Sequence, residues 1–333
     1  MKWVWRILLA VLAVLVIAFL ILRTPDTDAD EMRAKYAGPP SQFITIGDGV
    51  EVHLRDEGPR DGVPIILLHG SNADLHTWEP WASGLKDSYR VIRFDQIGHG
   101  LTGPNAVPDY SLDSFVADID EVADALGLDR FVLGGNSMGG GHTIGYALAH
   151  PDRLMGMILV DPGGAPVRRE SSGNIGFAIA RTPVINQLMK HITPRSIIEQ
   201  SLRQSVSNED IVTQDMVDRY WEMLRYPGNR GASLARFSRD YSGFTRDDVA
   251  GINVPALVMW GDEDRIIPVG AATWYDEALP DNDLVIYPGI GHLPHEEAPE
   301  QSIADVRGWL ETLAPTAPIA PIAPMPAPGA DAS

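Results

Sequence analysis

The sequence predicts an α/β fold: a doubly wound, mostly parallel sheet with an inserted helical cap and an N-terminal transmembrane helix. Three observations support this prediction. Apolar, strand-like segments alternate with amphipathic segments through most of the chain, which is the pattern of parallel βαβ units. Between residues 165 and 244 the alternation stops and helical segments follow one another. At the N-terminus, residues 7–22 form an unbroken apolar run.

Length and composition exclude several classes of protein. The chain has 333 residues, no cysteine and a formal net charge of −19. A chain of this length can bury one large core or two smaller ones. Without cysteine it has neither disulfides nor thiol chemistry. The acidic balance argues against nucleic acid as a partner.

The apolar run at the N-terminus predicts a membrane anchor over residues 1–23. With the residues ahead of it, the run reaches the ~20 residues that cross a bilayer. Lys2 and Arg6 precede it, and an acidic stretch follows at residues 26–31. This charge asymmetry predicts an anchor in a bacterial inner membrane, with the bulk of the chain on the non-cytoplasmic side. The alternative is a signal sequence whose cleavage gives a secreted protein.

The first part of the core is predicted at residues 41–164. A polar, proline-containing stretch at residues 24–40 precedes it and predicts a linker. Gly-Asp-Gly at residues 47–49 predicts a hairpin, and the later apolar runs suit strands buried on both faces of a parallel sheet. Ser111 is the expected N-cap of a helix that reaches residue 126. Strands are predicted at residues 43–46, 50–55, 64–68, 89–94 and 154–160.

The helical insertion at residues 165–245 is predicted to lie as a cap over the C-terminal edge of the sheet. The second part of the core follows at residues 246–313, where strands and helices alternate again. Residues 314–333 hold six prolines among small and apolar residues, which predicts a disordered or polyproline-like tail. Helices are predicted at residues 174–190, 194–204, 209–224, 230–241, 269–278 and 301–313, and strands at 256–260 and 284–287.

The stretch Gly-Asn-Ser-Met-Gly at residues 135–139 predicts a nucleophile on a sharp turn. An apolar strand leads into it and a helical stretch follows, which is the setting of a nucleophile elbow. The two glycines leave room where strand and helix meet, so the hydroxyl of Ser137 lies at the tip. The backbone N–H of Met138, at the helix N-terminus, faces the place where an oxyanion forms. We expect the N–H of Ser71, after the His-Gly pair at 69–70, to be the second oxyanion donor.

A serine nucleophile needs a base and an acid that orients the base. His292 follows the last predicted strand, and Asp264 follows the strand before it. The chain order Ser137, Asp264, His292 is the one that accompanies a nucleophile elbow. All three follow the C-terminal ends of strands, where the sites of open α/β sheets lie.

Three other residues compete for these roles. His295 lies three residues after His292 and is the alternative base. Asp161 also follows a strand, and Asp262 lies in the same loop as Asp264, so both are alternative acids. The turn that follows Asp161, Pro-Gly-Gly at 162–164, favours a local structural role for that carboxylate. The sequence has no metal-spaced cluster and no phosphate loop, so we expect neither metal nor cofactor.

Several stretches together resemble the α/β-hydrolase superfamily, over about residues 43–313. Serine at position 137 separates the chain from the epoxide hydrolases and haloalkane dehalogenases of that superfamily, which use aspartate there. The chain is also similar to the meta-cleavage-product C–C hydrolases at residues 135–140, 151–154 and 162–164. Those enzymes usually carry Trp directly after the catalytic His, where this chain has Leu293. The matching stretches are residues 69–71, 95–100, 135–139, 261–264 and 291–292.

The resemblance implies an α/β-hydrolase fold and a serine hydrolase. Combined with the N-terminal run, it predicts a membrane-anchored carboxylic ester hydrolase that acts on a small-molecule ester or related carbonyl compound through an acyl-enzyme. The first alternative is a C–C bond hydrolase of the meta-cleavage-product type. The second is a non-catalytic ligand-binding protein on the same fold.

Overall fold

The computed structural model describes residues 2–47, 49–107, 109–167, 182, 185–239 and 243–313. The predicted tail at 314–333 lies outside the described residues. So do most of the predicted helix at 174–190 and the end of the one at 230–241.

One eight-stranded sheet forms the core, in the strand order β1-β2-β4-β3-β5-β6-β7-β8. β2 runs antiparallel to both of its neighbours, and the other neighbouring strands are parallel. The prediction of a mostly parallel, doubly wound sheet is therefore confirmed. The strands are β1 Ser41–Ile46, β2 Val50–Glu57, β3 Pro64–Leu68, β4 Arg90–Phe94, β5 Phe131–Asn136, β6 Leu154–Val160, β7 Ala256–Gly261 and β8 Asn282–Tyr287.

Helices cover both faces of this sheet, which is why its central strands are apolar throughout. Every residue of β3, β4 and β5 is buried. The helices are α1 Lys2–Leu22, α2 Ala29–Tyr36, α3 Glu79–Leu85, α4 Leu112–Ala125, α5 Met138–Ala149, α6 Ile185–Met189, α7 Arg195–Ser205, α8 Gln214–Leu224, α9 Asn229–Phe237, α10 Arg246–Ala250, α11 Gly270–Ala278, α12 Pro294–Glu297 and α13 Pro299–Leu310. α4, α5 and α11 pack on one face, and α3 and α13 pack on the other.

The cap consists of α6 to α9 between β6 and β7, where the inserted helices were predicted. The single helix predicted at 209–224 is instead a short 3-10 turn at Glu209–Ile211 followed by α8. The break has a local cause. The hydroxyl of Thr213 accepts a hydrogen bond of 3.1 Å from the N–H of Met216, so Thr213 caps a new helix.

The N-terminal helix α1 is long and apolar enough to cross a membrane. Its apolar window has a mean hydropathy of 2.9, and none of it is buried against the rest of the chain. The linker predicted at 24–40 contains a helix, α2, that the sequence analysis did not predict. The carboxylate of Asp28 caps it by accepting from the N–H groups of Asp30 and Glu31, both at 3.0 Å.

The residues just after α1 are held against the cap. The N–H of Thr24 donates to the carbonyl oxygen of His191 at 2.8 Å. The guanidinium of Arg230 on α9 donates to the carbonyl oxygen of Thr24 at 2.8 Å and to Oδ1 of Asp26 at 2.6 Å. The start of the predicted linker is therefore a docked segment of the fold.

Candidate active site

Ser137 lies on the turn between β5 and α5, in a backbone conformation that few residues adopt. Its φ is 55° and its ψ is −113°. A Cβ on Gly135 would lie 2.3 Å from the backbone of Gly139, and one on Gly139 would lie 2.3 Å from the carbonyl oxygen of Leu68. Only glycine fits at either position, so close packing of strand against helix maintains the strained serine.

His292 and Asp264 form a buried pair beside this turn. Nδ1 of His292 lies 2.6 Å from Oδ2 of Asp264, and the two residues are 4% and 8% exposed. The other oxygen of Asp264 accepts from the N–H groups of Ile266 and Ile267, at 2.7 and 3.0 Å. Because Nδ1 is bonded to Asp264, Nε2 of His292 is the nitrogen left for proton transfer. Ser137 and His292 line the same cavity.

Asn136, which the sequence analysis did not single out, holds the backbone of His292. Its side-chain amide donates to the carbonyl oxygen of His292 at 3.0 Å and to that of Val160 at 3.1 Å. On its other side, the N–H of His292 donates to the carbonyl oxygen of Ser205, at the end of α7, at 2.8 Å. The only signal for Asn136 in the sequence is an amide at the end of an apolar strand, directly before the serine.

The two predicted oxyanion donors flank Ser137. Met138 is the first residue of α5, so its N–H belongs to the helix start that has no intrahelical acceptor. Ser71 lines the cavity together with Ser137. The loop that carries Ser71 approaches the serine closely, because a Cβ on Gly70 would lie 3.3 Å from Cβ of Ser137.

The cap forms an apolar wall of the cavity and also supports the Ser71 loop. Asn72 has a positive φ of 59°, and its Oδ1 accepts from Oγ of Ser233 at 2.8 Å and from Nη2 of Arg236 at 3.1 Å. Both donors lie on α9. The apolar residues that line the cavity are Ala73, Ile197, Ile198, Leu202, Leu224, Leu234, Phe237, Ile266 and Leu293.

Two of the alternative site residues have other partners. His295 is fully buried, packs against Trp78 with 4.3 Å between ring centroids and 31° between the ring planes, and makes a 3.0 Å hydrogen bond with the hydroxyl of Thr77. Burial lowers the pKa of His295 to about 3, so its ring is neutral. Asp262 is exposed and accepts from the N–H of Gly289 at 2.7 Å, which stabilises a local turn.

The third alternative, Asp161, lies beside the pair. It is fully buried, and its Oδ1 accepts from the N–H of Gly261 at 3.1 Å. One carboxyl oxygen each of Asp161 and Asp264 and one ring nitrogen of His292 lie within 4.8 Å of one another. Such a group could bind a metal, but both oxygens of Asp264 already accept N–H donors. We therefore interpret it as an acid–base site and assign no metal to it.

Comparison with known proteins places the chain in a family. A family model described as the alpha/beta hydrolase fold matches residues 63–299. The chain belongs to the α/β-hydrolase fold family. It is therefore a hydrolase of that fold, as the resemblance implied.

Individual relatives of this α/β hydrolase carry several activities. It is 29% identical over 266 residues to a non-heme chloroperoxidase of Streptomyces lividans, covering 75% of this chain and 92% of the relative. It is 28% identical over 272 residues to a 2-hydroxy-6-oxo-6-phenylhexa-2,4-dienoate hydrolase of Burkholderia cepacia, covering 76% and 90%. A solved structure of a membrane phospholipase A superposes with a TM-score of 0.68 at 21% identity, covering 94% of this chain and 99% of that one.

Proposed function

We propose that the protein is a membrane-anchored carboxylic ester hydrolase with Ser137 as nucleophile, His292 as base and Asp264 as the acid that orients it. The observation that carries this proposal is the 2.6 Å contact between His292 and Asp264 at a cavity lined by a strained serine. A buried imidazole with one nitrogen fixed by a carboxylate is what a serine needs for activation.

Each group has a defined role in the reaction. Oγ of Ser137 attacks the acyl carbon while Nε2 of His292 takes the hydroxyl proton. The backbone N–H groups of Ser71 and Met138 stabilise the negative oxygen of the tetrahedral intermediate. As the intermediate collapses, His292 gives the proton to the leaving alcohol, and the acyl group remains on Ser137. Water then repeats the sequence on the acyl-enzyme and releases the carboxylic acid.

The substrate class follows from the walls of the cavity and from α1. The apolar cap side chains offer an environment for a hydrocarbon acyl chain, whose burial is favourable by about 0.8 kcal/mol per CH₂ group. A span of 21 residues with no buried residue supports a membrane location for the enzyme. A membrane phospholipase A is among the structures with this fold, which agrees with an acyl ester substrate in that setting.

Hydrolysis of a C–C bond in a vinylogous diketone is the second candidate, because the Burkholderia relative carries a name of that type. Leu293 follows His292 where such enzymes usually have Trp, which favours the ester hydrolase. Assays with a panel of dienoate substrates and with p-nitrophenyl esters separate C–C bond hydrolysis from ester hydrolysis.

The direct test uses Ser137→Ala and a fluorophosphonate probe. We expect the wild type to hydrolyse p-nitrophenyl esters and to be labelled at Ser137. The variant should lose several orders of magnitude in kcat while it still binds substrate. Labelling at another residue, or full activity of the variant, would refute the assignment. Binding without turnover in the wild type would indicate the non-catalytic alternative.

A further inference from the structure

Asp161 is a buried carboxyl group that the proposed reaction does not use. It directly follows β6, is fully buried and has a φ of 44°. Its Oδ1 accepts the N–H of Gly261, but among the described residues no hydrogen-bond partner meets its Oδ2. A buried carboxyl oxygen without a partner is costly, so its surroundings need an explanation.

The groups around Asp161 show that one proton must be retained there. Asp264 and His292 lie within 4.8 Å of it, and Glu297 and Tyr287 contribute further electrostatic interactions. Among the described residues, the charged groups that act most strongly on Asp161 are the carboxyl groups of Asp264 and Glu297. Two neighbouring carboxyl groups in such a site cannot both be ionised, because their charges repel and neither is well solvated.

The hydrogen bonds indicate which of the two carboxyl groups is ionised. Asp264 accepts three N–H donors, from Ile266, Ile267 and His292, all of which stabilise a negative carboxylate. Among the described residues, Asp161 accepts only the N–H of Gly261. This difference favours Asp161 as the carboxyl group that keeps the proton.

We propose that Asp161 is a positioning residue, a neutral carboxylic acid whose O–H donates a hydrogen bond to the carboxylate of Asp264. This extends the proposed function, since it assumes that Asp264 orients the base. Burial, and next the charge of Asp264, raise the pKa of Asp161 well above its usual range, in agreement with the hydrogen-bond count. By sharing the negative charge of Asp264, the Asp161 proton weakens the attraction of that carboxylate for the proton on His292.

Two substitutions at this position separate positioning from a purely structural role. Asp161→Asn keeps an acceptor for Gly261 and an N–H donor for Asp264, and asparagine tolerates a positive φ. We expect this variant to retain kcat and its pH profile. Asp161→Ala removes the donor to Asp264, so the acidic limb of kcat/KM should move to higher pH. Asp262→Ala, in the neighbouring exposed loop, is the matched control and should leave the limb in place.

An infrared spectrum of the resting protein gives a second readout that needs no turnover. At neutral pH the difference spectrum of wild type minus Asp161→Asn should show the carbonyl stretch of a protonated carboxyl group, because the bands of other protonated carboxyl groups, such as Glu296, cancel. Absence of that band from the difference spectrum would overturn the proposal. A shift of the acidic limb of kcat/KM to lower pH in Asp161→Asn would also overturn the proposal. Such a shift is expected if the substitution removes a negative charge.

The outcomes also separate this proposal from the proposed function. If Asp161→Ala only lowers the melting temperature and leaves the pH limb unchanged, Asp161 is structural and the positioning role is wrong. A loss of about 10⁴ in kcat for Asp161→Asn would make Asp161 itself the triad acid. Failure of fluorophosphonate labelling at Ser137 refutes the hydrolase mechanism alone, since the infrared band does not depend on it.

Discussion

The side chain of Asn136 donates a hydrogen bond to the carbonyl oxygen of His292 at 3.0 Å, so the residue before the candidate nucleophile fixes the loop that carries the base. Asn136→Ala should let that loop shift. Because a misplacement of about 1 Å can cost 10²-fold in rate, we expect kcat to fall by that order while the fluorophosphonate still labels Ser137 slowly.

Asn229→Ala is the matched control for Asn136→Ala. Asn229 is also a buried amide, and it donates to the carbonyl oxygens of Gly100 and Met223. Both variants should have a lower melting temperature. Only Asn136→Ala should also have a lower kcat when both proteins are assayed in the folded state. Equal kcat values in the two folded variants would contradict a positioning role for Asn136.

Asp264→Asn should disable the base without unfolding the chain. The amide oxygen can still accept the N–H groups of Ile266 and Ile267. Its NH₂ group, however, faces Nδ1 of His292 and favours the wrong tautomer, at a cost of about 10⁴ in kcat by analogy with other triads. Steady-state kinetics of the wild type and Asp264→Asn measure the effect, and Asp262→Asn is the control. A larger loss in Asp161→Asn than in Asp264→Asn would move the acid to the end of β6.

Ile197 on α7 lines the cavity, so a larger side chain there should shorten the space for an acyl chain. We expect Ile197→Trp to shift the preference among p-nitrophenyl esters toward shorter chains, with little change in melting temperature. Ser196→Trp, on the same helix at an exposed position, is the control. If Ile197→Trp unfolds the protein or leaves the chain-length profile unchanged, the cap does not set specificity in this way.

Glu296 should make stability depend on pH. Burial raises the pKa of this carboxyl group from 4.5 to about 7. Between these values the folded state keeps a proton that the unfolded chain releases, so the free energy of unfolding should fall as pH rises from 4.5 to 7. Glu296→Gln stays neutral, and above pH 7 it should exceed the wild type by up to about 3 kcal/mol. Thermal melts of the wild type and Glu296→Gln across this pH range test the prediction, and Glu300→Gln, at an exposed position, is the control. A stability difference between wild type and Glu296→Gln that does not change with pH would contradict it.

The anchor proposal makes a prediction about topology. Alkaline phosphatase fused after Phe43 should be active in a bacterial host, because the residues after α1 are expected outside the cytoplasm. The mature protein should keep residues 1–22, which mass spectrometry can detect. An inactive fusion would refute the orientation, and loss of the segment would refute the anchor but leave a secreted enzyme.

The sequence was sufficient for those parts of the site that depend on local pattern. The elbow around Ser137 and the strand ends before Asp264 and His292 can be read from short stretches, because each strand and its loop are contiguous. The juxtaposition of Asp161 with Asp264 cannot be read from any short stretch. It depends on the register of β6 against β7, which pairs Val160 with Met259 and so places Asp161 beside the end of β7.

Other features escaped prediction because their stabilising partners are distant in sequence. α2 buries only Met32, so its apolar periodicity is weak. It is held by contacts such as the 2.6 Å hydrogen bond from the hydroxyl of Tyr36 to Glu222 on α8. The helix predicted across 209–224 begins only at Gln214, because Thr213 caps a new helix start. A single cap of this kind does not alter the apolar periodicity from which the helix was predicted.

The docking of Thr24 has a mechanical consequence. Thr24 lies two residues after the end of α1 and is hydrogen-bonded to both His191 and Arg230, so only one residue, Arg23, separates the span from the segment that is docked on the cap. With α1 in a bilayer, a swing of the cap away from the sheet would pull on the span and tilt it. A stiffer or thicker bilayer would then raise the free energy that is needed to move the cap and open the cavity.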